Sequence, residues 1–536
     1  MRRPALRPLP SLAAVLVVAL LAGASPARAA SSFPPGYEGY HTYAEMVADI
    51  TAVQAAHPDI VRIFSIGRSY KGRDLWAAKV SDNVATDEAE PEVLYDGLTH
   101  SDEHMGLEMT LHILHWLTDG YGTDARITDI VNGREVWIVF AVNPDGAEYD
   151  IRNGVFHHWR KNVQPNAGTT AVGTDLNRNF GYRWGGGGLT STNPRAITYR
   201  GRAAFSAPET RAMRDFLASR VVGGRQQIRT AITFHEYGRL VLWPYGYTKA
   251  NVPIDMTSQD RAALAAIGRH MAASNGYRAE QASDLYLTSG TTRDYEYGVY
   301  RIFAYTVELS NVDYPRDTRI AGETGRNRDA VLYLAERAAC PYAVLGTAVA
   351  NARCGAFDDD FEVARGWSVN PDGTDTAPAS GRWARGNPAR TKASGVALQL
   401  DATASGRMAL VTGAAAGARA GANDLDGRTT VRSGPIALPP GAGQRLTFRF
   451  NFAHTASGTP ADHLRAIIEA ADGTKTTVWE RVGTGRVVAG AWRTASVAMD
   501  AWAGQTIRIR FEAMDGGHGS TVEAAVDDVR VTRPSS

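Results

Sequence analysis

Up to residue 338, hydrophobic positions recur with helical and strand periods in alternation. Thr42–Ala56 places Met46, Ile50 and Val53 on one helical face, and Thr42 with Glu45 forms a capping-box pattern. The same reasoning predicts helices over Leu107–Leu117, Pro208–Ser219, Arg261–Ala273 and Asn327–Ala338, and strands over Ile60–Ile66, Trp76–Val80, Glu92–Tyr95, Val136–Val142, Thr230–Phe234 and Ala304–Glu308. This alternation predicts an α/β domain whose mixed central sheet carries helices on both faces. Ser206 with Glu209 matches a second capping box.

The pattern changes after Cys354, where helical periods become rare and short β-type runs dominate. Leu446–Phe452 and Ile507–Phe511 alternate apolar and polar residues, as half-buried strands do, and Val526–Val531 is a further run. Gly, Pro and Asp turns separate these runs. The second part of the chain is therefore predicted to be an all-β, jelly-roll-like sandwich.

The N-terminus has the pattern of an export signal. Three arginines among the first seven residues precede the uncharged apolar run Leu12–Ala24, and residues 27–29 form a small-x-small cleavage motif. The run is shorter than a membrane span requires, so we expect a secreted protein without a membrane span. The predicted organisation is a signal peptide over residues 1–29, a linker over 30–39, an α/β domain over 40–340, a linker over 341–355 and an accessory β-sandwich over 356–536.

Charge and cysteine content limit the possible partners. Lys+Arg number 57 and Asp+Glu 56, which leaves a formal net charge of +1 and gives no support to nucleic-acid binding. The chain has two cysteines, Cys340 and Cys354, and in an exported protein they are expected to form a disulfide. We expect a monomer.

Candidate metal ligands follow two predicted strands. His100 and Glu103 stand three residues apart in the polar turn after one strand, and His235 directly follows another. Histidine nitrogen and carboxylate oxygen are ligands that zinc accepts, and three protein ligands leave a position open for water. A lone His-x-x-Glu pair is weak evidence, because such pairs are common by chance.

Seven motifs in a fixed order make the signal specific. They are His100-x-x-Glu103, Asn143-Pro144-Asp145-Gly146, Trp159-Arg160-Lys161, Asp175-Leu176-Asn177-Arg178-Asn179, His235 before Trp243-Pro244-Tyr245-Gly246-Tyr247, Tyr286, and Thr306-Val307-Glu308-Leu309. In this order they resemble the zinc carboxypeptidase family of carboxypeptidases A, B and T. The resemblance covers about Tyr40 to Ala339 and implies that family's fold, one catalytic Zn²⁺, and peptide or protein substrates with a free C-terminus.

The resemblance also implies a role for each matching residue. His100, Glu103 and His235 correspond to the zinc ligands, and Asp175 to the partner that orients His100. Glu308 corresponds to the general base that takes a proton from the attacking water.

The remaining matches concern the substrate. Arg160 corresponds to the residue that stabilises the oxyanion. Arg178 with Asn177 corresponds to the clamp on the substrate's terminal carboxylate, and Tyr286 to the mobile tyrosine that closes over it.

Substrate preference is predicted to depend on Arg293. In the family the residue before the Asp of the Arg293-Asp294 pair lies at the floor of the pocket for the C-terminal side chain. A cation there predicts a preference for C-terminal Glu or Asp. In the alternative, Arg293 pairs with Asp294, Glu296 or Glu236 and leaves the pocket.

Acidic residues near both ends of the predicted sandwich raise the possibility of a second metal. If the first and last strands are adjacent, Asp359, Glu362 and Asp528 could share one Ca²⁺, which prefers oxygen ligands. The alternative is a solvated acidic edge.

Two other functions remain open at this stage. One is a cell-wall peptide amidase of the same fold, since acidic, non-standard linkages would also suit Arg293. The other is a binding or adhesion protein with an inactive catalytic domain, which the complete set of ligands and Glu308 disfavours.

Overall fold

The computed structural model describes residues 32–88, 90–222, 224–393, 395–414, 424–517 and 519–533. The predicted signal peptide and the first two residues of the predicted linker lie outside these ranges. Within them, the α-helices are α1 (Tyr43–Ala56), α2 (Met105–Gly120), α3 (Ala125–Val131), α4 (Pro144–Asp150), α5 (Pro208–Ser219), α6 (Ser258–Asn275), α7 (Ala282–Leu285), α8 (Thr292–Tyr300), α9 (Ile320–Arg337) and α10 (Thr347–Arg353).

An eight-stranded mixed sheet forms the centre of the first part, in the order β1-β2-β4-β3-β7-β10-β8-β9. Its strands, with the hairpin β5–β6, are β1 (Val61–Arg68), β2 (Asp74–Val80), β3 (Glu92–Gly97), β4 (Glu135–Val139), β5 (Val221–Val222), β6 (Arg225–Gln226), β7 (Ile228–Glu236), β8 (Leu240–Trp243), β9 (Arg278–Gln281) and β10 (Phe303–Leu309). The pairs β4–β3, β3–β7 and β7–β10 are parallel. The predicted α/β architecture is confirmed.

Helices cover both faces of this sheet because neighbouring strand residues point to opposite sides. Val93 and Tyr95 of β3 belong to the larger apolar cluster, together with residues of α1, α2, α6 and α9. Leu94, between them, belongs to the opposite cluster, with Met213 of α5 and Tyr295 of α8. Burial on both faces explains why the central strands are continuous apolar runs.

The two predicted capping boxes have opposite outcomes. At α1, the Thr42 side chain accepts from the Glu45 backbone N–H, and the Glu45 side chain accepts from the Thr42 backbone N–H, as predicted. At α5 the prediction is wrong, since Ala207 is the N-cap and makes no side-chain cap. The Glu209 carboxylate is buried and accepts instead from the Tyr70 backbone and the Asn162 side chain.

The second part is a sandwich of two six-stranded antiparallel sheets, as predicted. Its strands are β11 (Phe357–Asp359), β12 (Ser368–Val369), β13 (Trp383–Gly386), β14 (Thr391–Ala393), β15 (Val396–Gln399), β16 (Ala409–Thr412), β17 (Gly427–Arg432), β18 (Ile436–Ala437), β19 (Arg445–His454), β20 (His463–Ala470), β21 (Lys475–Val482), β22 (Arg493–Ala498), β23 (Thr506–Asp515) and β24 (Val522–Val531). Phe448, Phe452 and Phe511 are fully buried in its core. The first strand, β11, pairs with the last, β24.

A disulfide joins Cys340 and Cys354, with Cα atoms 5.5 Å apart, as predicted. The bridge spans the segment that connects the α/β part to the sandwich. This segment contains the 3₁₀ turn Pro341–Leu345 and α10. It therefore restrains the connection between the α/β part and the sandwich.

Replacing both cysteines by serine is expected to lower the free energy of unfolding by about 3 kcal/mol, because the bridge removes loop-closure entropy from the unfolded chain. Urea unfolding monitored by fluorescence measures this. Wild-type protein in reductant is the control and should show the same loss. An unchanged midpoint in both samples would contradict the expectation.

Candidate metal centre and active site

Three adjacent parallel strands end at the same edge of the mixed sheet. Gly97, the last residue of β3, is paired with Phe234 of β7, and Glu308 of β10 is paired with His235. The turn after β3 carries His100 and Glu103. The carboxyl ends of neighbouring parallel strands thus bring residues from distant parts of the sequence together.

The three predicted metal ligands converge on one point. His100 Nδ1 lies 2.7 Å from Glu103 Oε1, His235 Nδ1 lies 2.7 Å from Glu103 Oε2, and the two Nδ1 atoms are 3.0 Å apart. All three residues are buried. Two imidazole nitrogens and a carboxylate, facing one another at these separations, form a donor set that fits one zinc ion.

The surroundings of Glu103 and His235 favour the protonation states that bind metal. Against the effect of burial, His100 and His235 hold the pKa of Glu103 well below its usual value. Burial lowers the pKa of His235 to about 4. A carboxylate and a neutral imidazole result, which are the protonation states that a metal requires.

Asp175 lies behind His100. Its Oδ1 is 3.3 Å from His100 Nε2, and its Oδ2 accepts from Arg160 Nε at 3.2 Å. Arg160 Nη1 lies 3.4 Å from Glu103 Oε1. Although burial raises the pKa of Asp175, the Arg160 and Arg178 cations hold it well below the usual range. Asp175 is therefore ionised and can orient both the histidine and the arginine.

Five predicted site residues line one cavity of about 300 Å³. They are Asn177, Arg178, Tyr286, Arg293 and Glu308. Asn177 connects this cavity to the ligands, because its Nδ2 lies 3.3 Å from His235 Nε2. The Arg178 guanidinium is held by the carbonyls of Leu189 and Asn177. Burial, and then the Glu103 carboxylate, raise the pKa of Glu308 to about 8.

Tyr286 lies at the rim of the cavity. Its side chain is partly exposed, and its ring centre is 6.0 Å from the Arg178 guanidinium carbon. A tyrosine in this place can cover a ligand that Arg178 holds.

Arg293 is buried in the wall of the same cavity. Its Nη1 donates to Thr306 Oγ1 at 2.8 Å and its Nε to Asp294 Oδ1 at 3.3 Å. A Cβ on Gly246 would lie 2.8 Å from Arg293 Nη2, so glycine leaves room for the guanidinium. Arg293 thus contacts Asp294 without leaving the pocket.

The three acidic residues considered for calcium do not come together. They are absent from the groups of metal-ligating side chains found in the described ranges. Asp359 accepts from the Trp367 indole, Glu362 from the backbone of residues 407 and 408, and Asp528 from the Arg530 guanidinium. The calcium site is therefore not supported.

Two further residues act on the site and were not predicted. Thr233 Oγ1 donates to Asp96 Oδ1 at 2.8 Å and lies 3.3 Å from His235 Nε2, so it supports the histidine from behind. Thr306 holds Arg293. Each threonine precedes a predicted site residue by two positions on a strand and so shares its face, which is a signal that the sequence contains.

Known proteins share both the sequence pattern and the fold. The family model for zinc carboxypeptidases matches residues 46–330. A zinc carboxypeptidase of Saccharothrix mutabilis subsp. capreolus is 46% identical over 319 residues, which are 59% of this chain and 73% of that protein. The chain belongs to the zinc carboxypeptidase family.

More distant proteins extend the similarity. Carboxypeptidase A1 of Rattus norvegicus is 30% identical over 299 residues, 55% of this chain and 67% of that protein. The crystal structure of thrombin activatable fibrinolysis inhibitor superposes with a TM-score of 0.51 at 26% identity, over 57% of this chain and 75% of that chain. Residues 46–330, which the family model matches, lie in the α/β part.

The protein is a zinc metallocarboxypeptidase, a hydrolase of peptides with a free C-terminus. The family implies a catalytic Zn²⁺, and the buried donor set of His100, Glu103 and His235 fits one. Among the described residues, no helix has the length and apolar content needed to cross a membrane.

Replacing Asp175 with Asn is expected to weaken zinc binding about 10- to 100-fold, because the carboxylate that orients His100 is lost. Competition with a fluorescent chelator measures the affinity. Asp150→Asn is the matched control, since Asp150 lies 3.1 Å from the buried His104, which is not a ligand. Equal affinities in both variants would contradict the role of Asp175.

Proposed function

We propose that the protein is exported and removes single residues from the free C-terminus of peptides and proteins, with a preference for Glu and Asp at that position. The observation that carries the proposal is the common cavity of Asn177, Arg178, Tyr286, Arg293 and Glu308, joined to the ligands through Asn177. Such a cavity can hold a terminal residue whose peptide bond lies next to the metal centre.

Each residue has a task that its position supports. Arg178 and Asn177 bind the substrate's terminal carboxylate, for which a planar guanidinium offers two parallel hydrogen bonds. Tyr286 covers the bound residue from the rim. Glu308 takes the proton of the attacking water and delivers it to the leaving amine.

The negative charge that develops during the reaction also needs stabilisation. Arg160, fixed by Asp175, stabilises the oxyanion that forms at the scissile carbonyl. A zinc ion held by the three ligands would supply Lewis-acid activation of water and carbonyl.

The acidic preference follows from the surroundings of Arg293. Apolar side chains, including Leu242 and Ala282, line the same cavity, and Arg293 is buried in its wall. Asp294 also accepts from the backbone N–H groups of Gly246 and Tyr247, which fixes it as a support for the guanidinium. A charge-assisted hydrogen bond in such a partly dry pocket favours a substrate carboxylate over apolar or basic ends.

Replacing Glu308 with Gln is expected to lower kcat by at least about 100-fold, because the proton acceptor is removed, while the zinc content stays unchanged. Steady-state kinetics and metal analysis test this together. Glu209→Gln is the control, because the Glu209 carboxylate is buried and lies outside the cavity. Full turnover in Glu308→Gln would exclude Glu308 as the general base.

Replacing Arg293 with Gln is expected to lower kcat/KM about 10- to 100-fold for peptides ending in Glu, and less for those ending in Leu, since a charge-assisted hydrogen bond is lost. Arg293→Lys keeps the charge and should retain part of the preference. Mass spectrometry of N-blocked peptides that differ only in the last residue gives the ranking.

Arg239→Gln is the matched control, because Arg239 pairs with Glu323 outside the cavity. An unchanged order of preference in Arg293→Gln would overturn the role of Arg293. Cleavage of peptidoglycan fragments but not of linear peptides would replace the proposal with the cell-wall amidase.

A further inference from the structure

A second charged cavity, of about 590 Å³, lies between the α/β part and the sandwich. We call it the junction cavity. Arg229 and Phe303 line it near the starts of β7 and β10, so it lies at the sheet edge opposite the metal ligands. Five arginines and three aspartates line it, and two of these arginines, Arg365 and Arg301, also lie 3.5 and 3.8 Å from carboxylate oxygens of Asp359 and Glu362.

The aspartates of the junction cavity already have partners. Arg353 Nε lies 3.0 Å from one oxygen of Asp358, and Arg530 Nε donates to the other at 2.9 Å. Asp260 accepts from the hydroxyls of Tyr297 and Tyr342. The third aspartate, Asp360, lies near Arg301 and Arg353, which lower its pKa against the effect of burial. Each of the three aspartates therefore already interacts with a hydroxyl or guanidinium group of the protein.

Arg225 and Arg229 have no such compensation. Within the described ranges, neither guanidinium forms an ion pair, and Arg225 donates a hydrogen bond to the Ala356 carbonyl at 3.3 Å. Arg229, then burial and Arg365, lower the pKa of Arg225 to about 9. Burial, and then Arg365, also lower the pKa of Arg229. Partly buried like charges are costly unless an anion lies between them.

The third arginine comes from the other side of the junction. Arg365 follows β11 in the sandwich, and its Nε is 3.5 Å from Asp359 Oδ1, a distance too long for a strong hydrogen bond. A Cβ on Gly224 would lie 2.4 Å from the Arg365 carbonyl oxygen, so the β5–β6 turn and this loop are in close backbone contact. Guanidinium groups from both parts of the chain thus face one cavity.

We propose that the junction cavity binds a tetrahedral oxyanion, phosphate or sulfate, between Arg225, Arg229 and Arg365. A dianion matches Arg225 and Arg229, the two lining arginines without an ion pair in the described ranges, and its four oxygens can accept from planar guanidinium groups that approach from different directions. The ion is either free in solution or the ester group of a larger molecule. Its binding connects the sandwich to the α/β part.

Thermal unfolding of the full-length, zinc-loaded protein tests the proposal, with chloride replaced by sulfate or by phosphate at constant ionic strength. We expect either oxyanion to raise the Tm of wild type by about 2–4 °C, because it binds only the folded protein. Isothermal titration with sodium sulfate should give one saturable site. A phosphorylated or sulfated oligosaccharide in a third arm distinguishes an ester ligand from the free ion, according to which binds more tightly.

Arg229→Gln and Arg225→Gln are expected to abolish the oxyanion-dependent rise in Tm. In chloride alone, both variants should be at least as stable as wild type, because a repelling charge has been removed. A residue with a merely structural role would instead lower the Tm in every buffer. Arg239→Gln, a paired arginine at the other edge of the sheet, is the control and should keep the full oxyanion response.

Two results would overturn the proposal. One is the absence of any difference between oxyanion and chloride buffers for wild type in both unfolding and titration. The other is an oxyanion response that persists undiminished in Arg225→Gln and Arg229→Gln.

Discussion

The parallel pairing of β3, β7 and β10 is the constraint on which the site depends. Their carboxyl ends lie side by side, so His100, His235 and Glu308, which are far apart in sequence, become neighbours. A shift of one residue in any of these strands would turn its side chains to the opposite face. Dense apolar packing on both faces of the sheet holds the register, and the chemistry of the site follows from it.

Burying so many charges requires that each one be compensated. The ligands compensate one another only in part, and Asp175 and Arg160 extend the network. The close approach of Glu103, His100 and His235 fits a cation bound among them. The junction cavity differs, because within the part of the chain that the structure describes, Arg225 and Arg229 line it without forming an ion pair.

Sequence patterns predicted the candidate ligands and Glu308 from their positions at or just after strand ends, and the structure brings His100, Glu103 and His235 together. His235 directly after an apolar run, and His100 in the turn after another, define the site once the strands are parallel. The prediction of a helix cap failed where a contact distant in sequence replaces the expected local hydrogen bond. Glu209 has the spacing of a capping box, but its carboxylate accepts a hydrogen bond from the buried Asn162 side chain instead.

The short strands β8 and β9, with four residues each, carry too few positions for a period to be recognised. The acidic residues of the sandwich show a related limit, because nearby charges in sequence say little about partners in space. The Asp528 carboxylate, which could otherwise bind a calcium ion, accepts a hydrogen bond from the Arg530 guanidinium. The sequence did not predict the junction cavity either. Arg229 and Arg365 lie far apart in sequence and line one cavity only because the sandwich packs against the α/β part.

X-ray absorption and anomalous diffraction at the zinc edge test the central claim most directly. The account predicts a single zinc ion per chain with two imidazole nitrogens and a carboxylate as ligands, at His100, Glu103 and His235, and loss of this ion in His235→Ala. Zinc bound elsewhere, for example at the acidic group of Asp82, Glu88 and Glu90, with none between the two histidines, would contradict it.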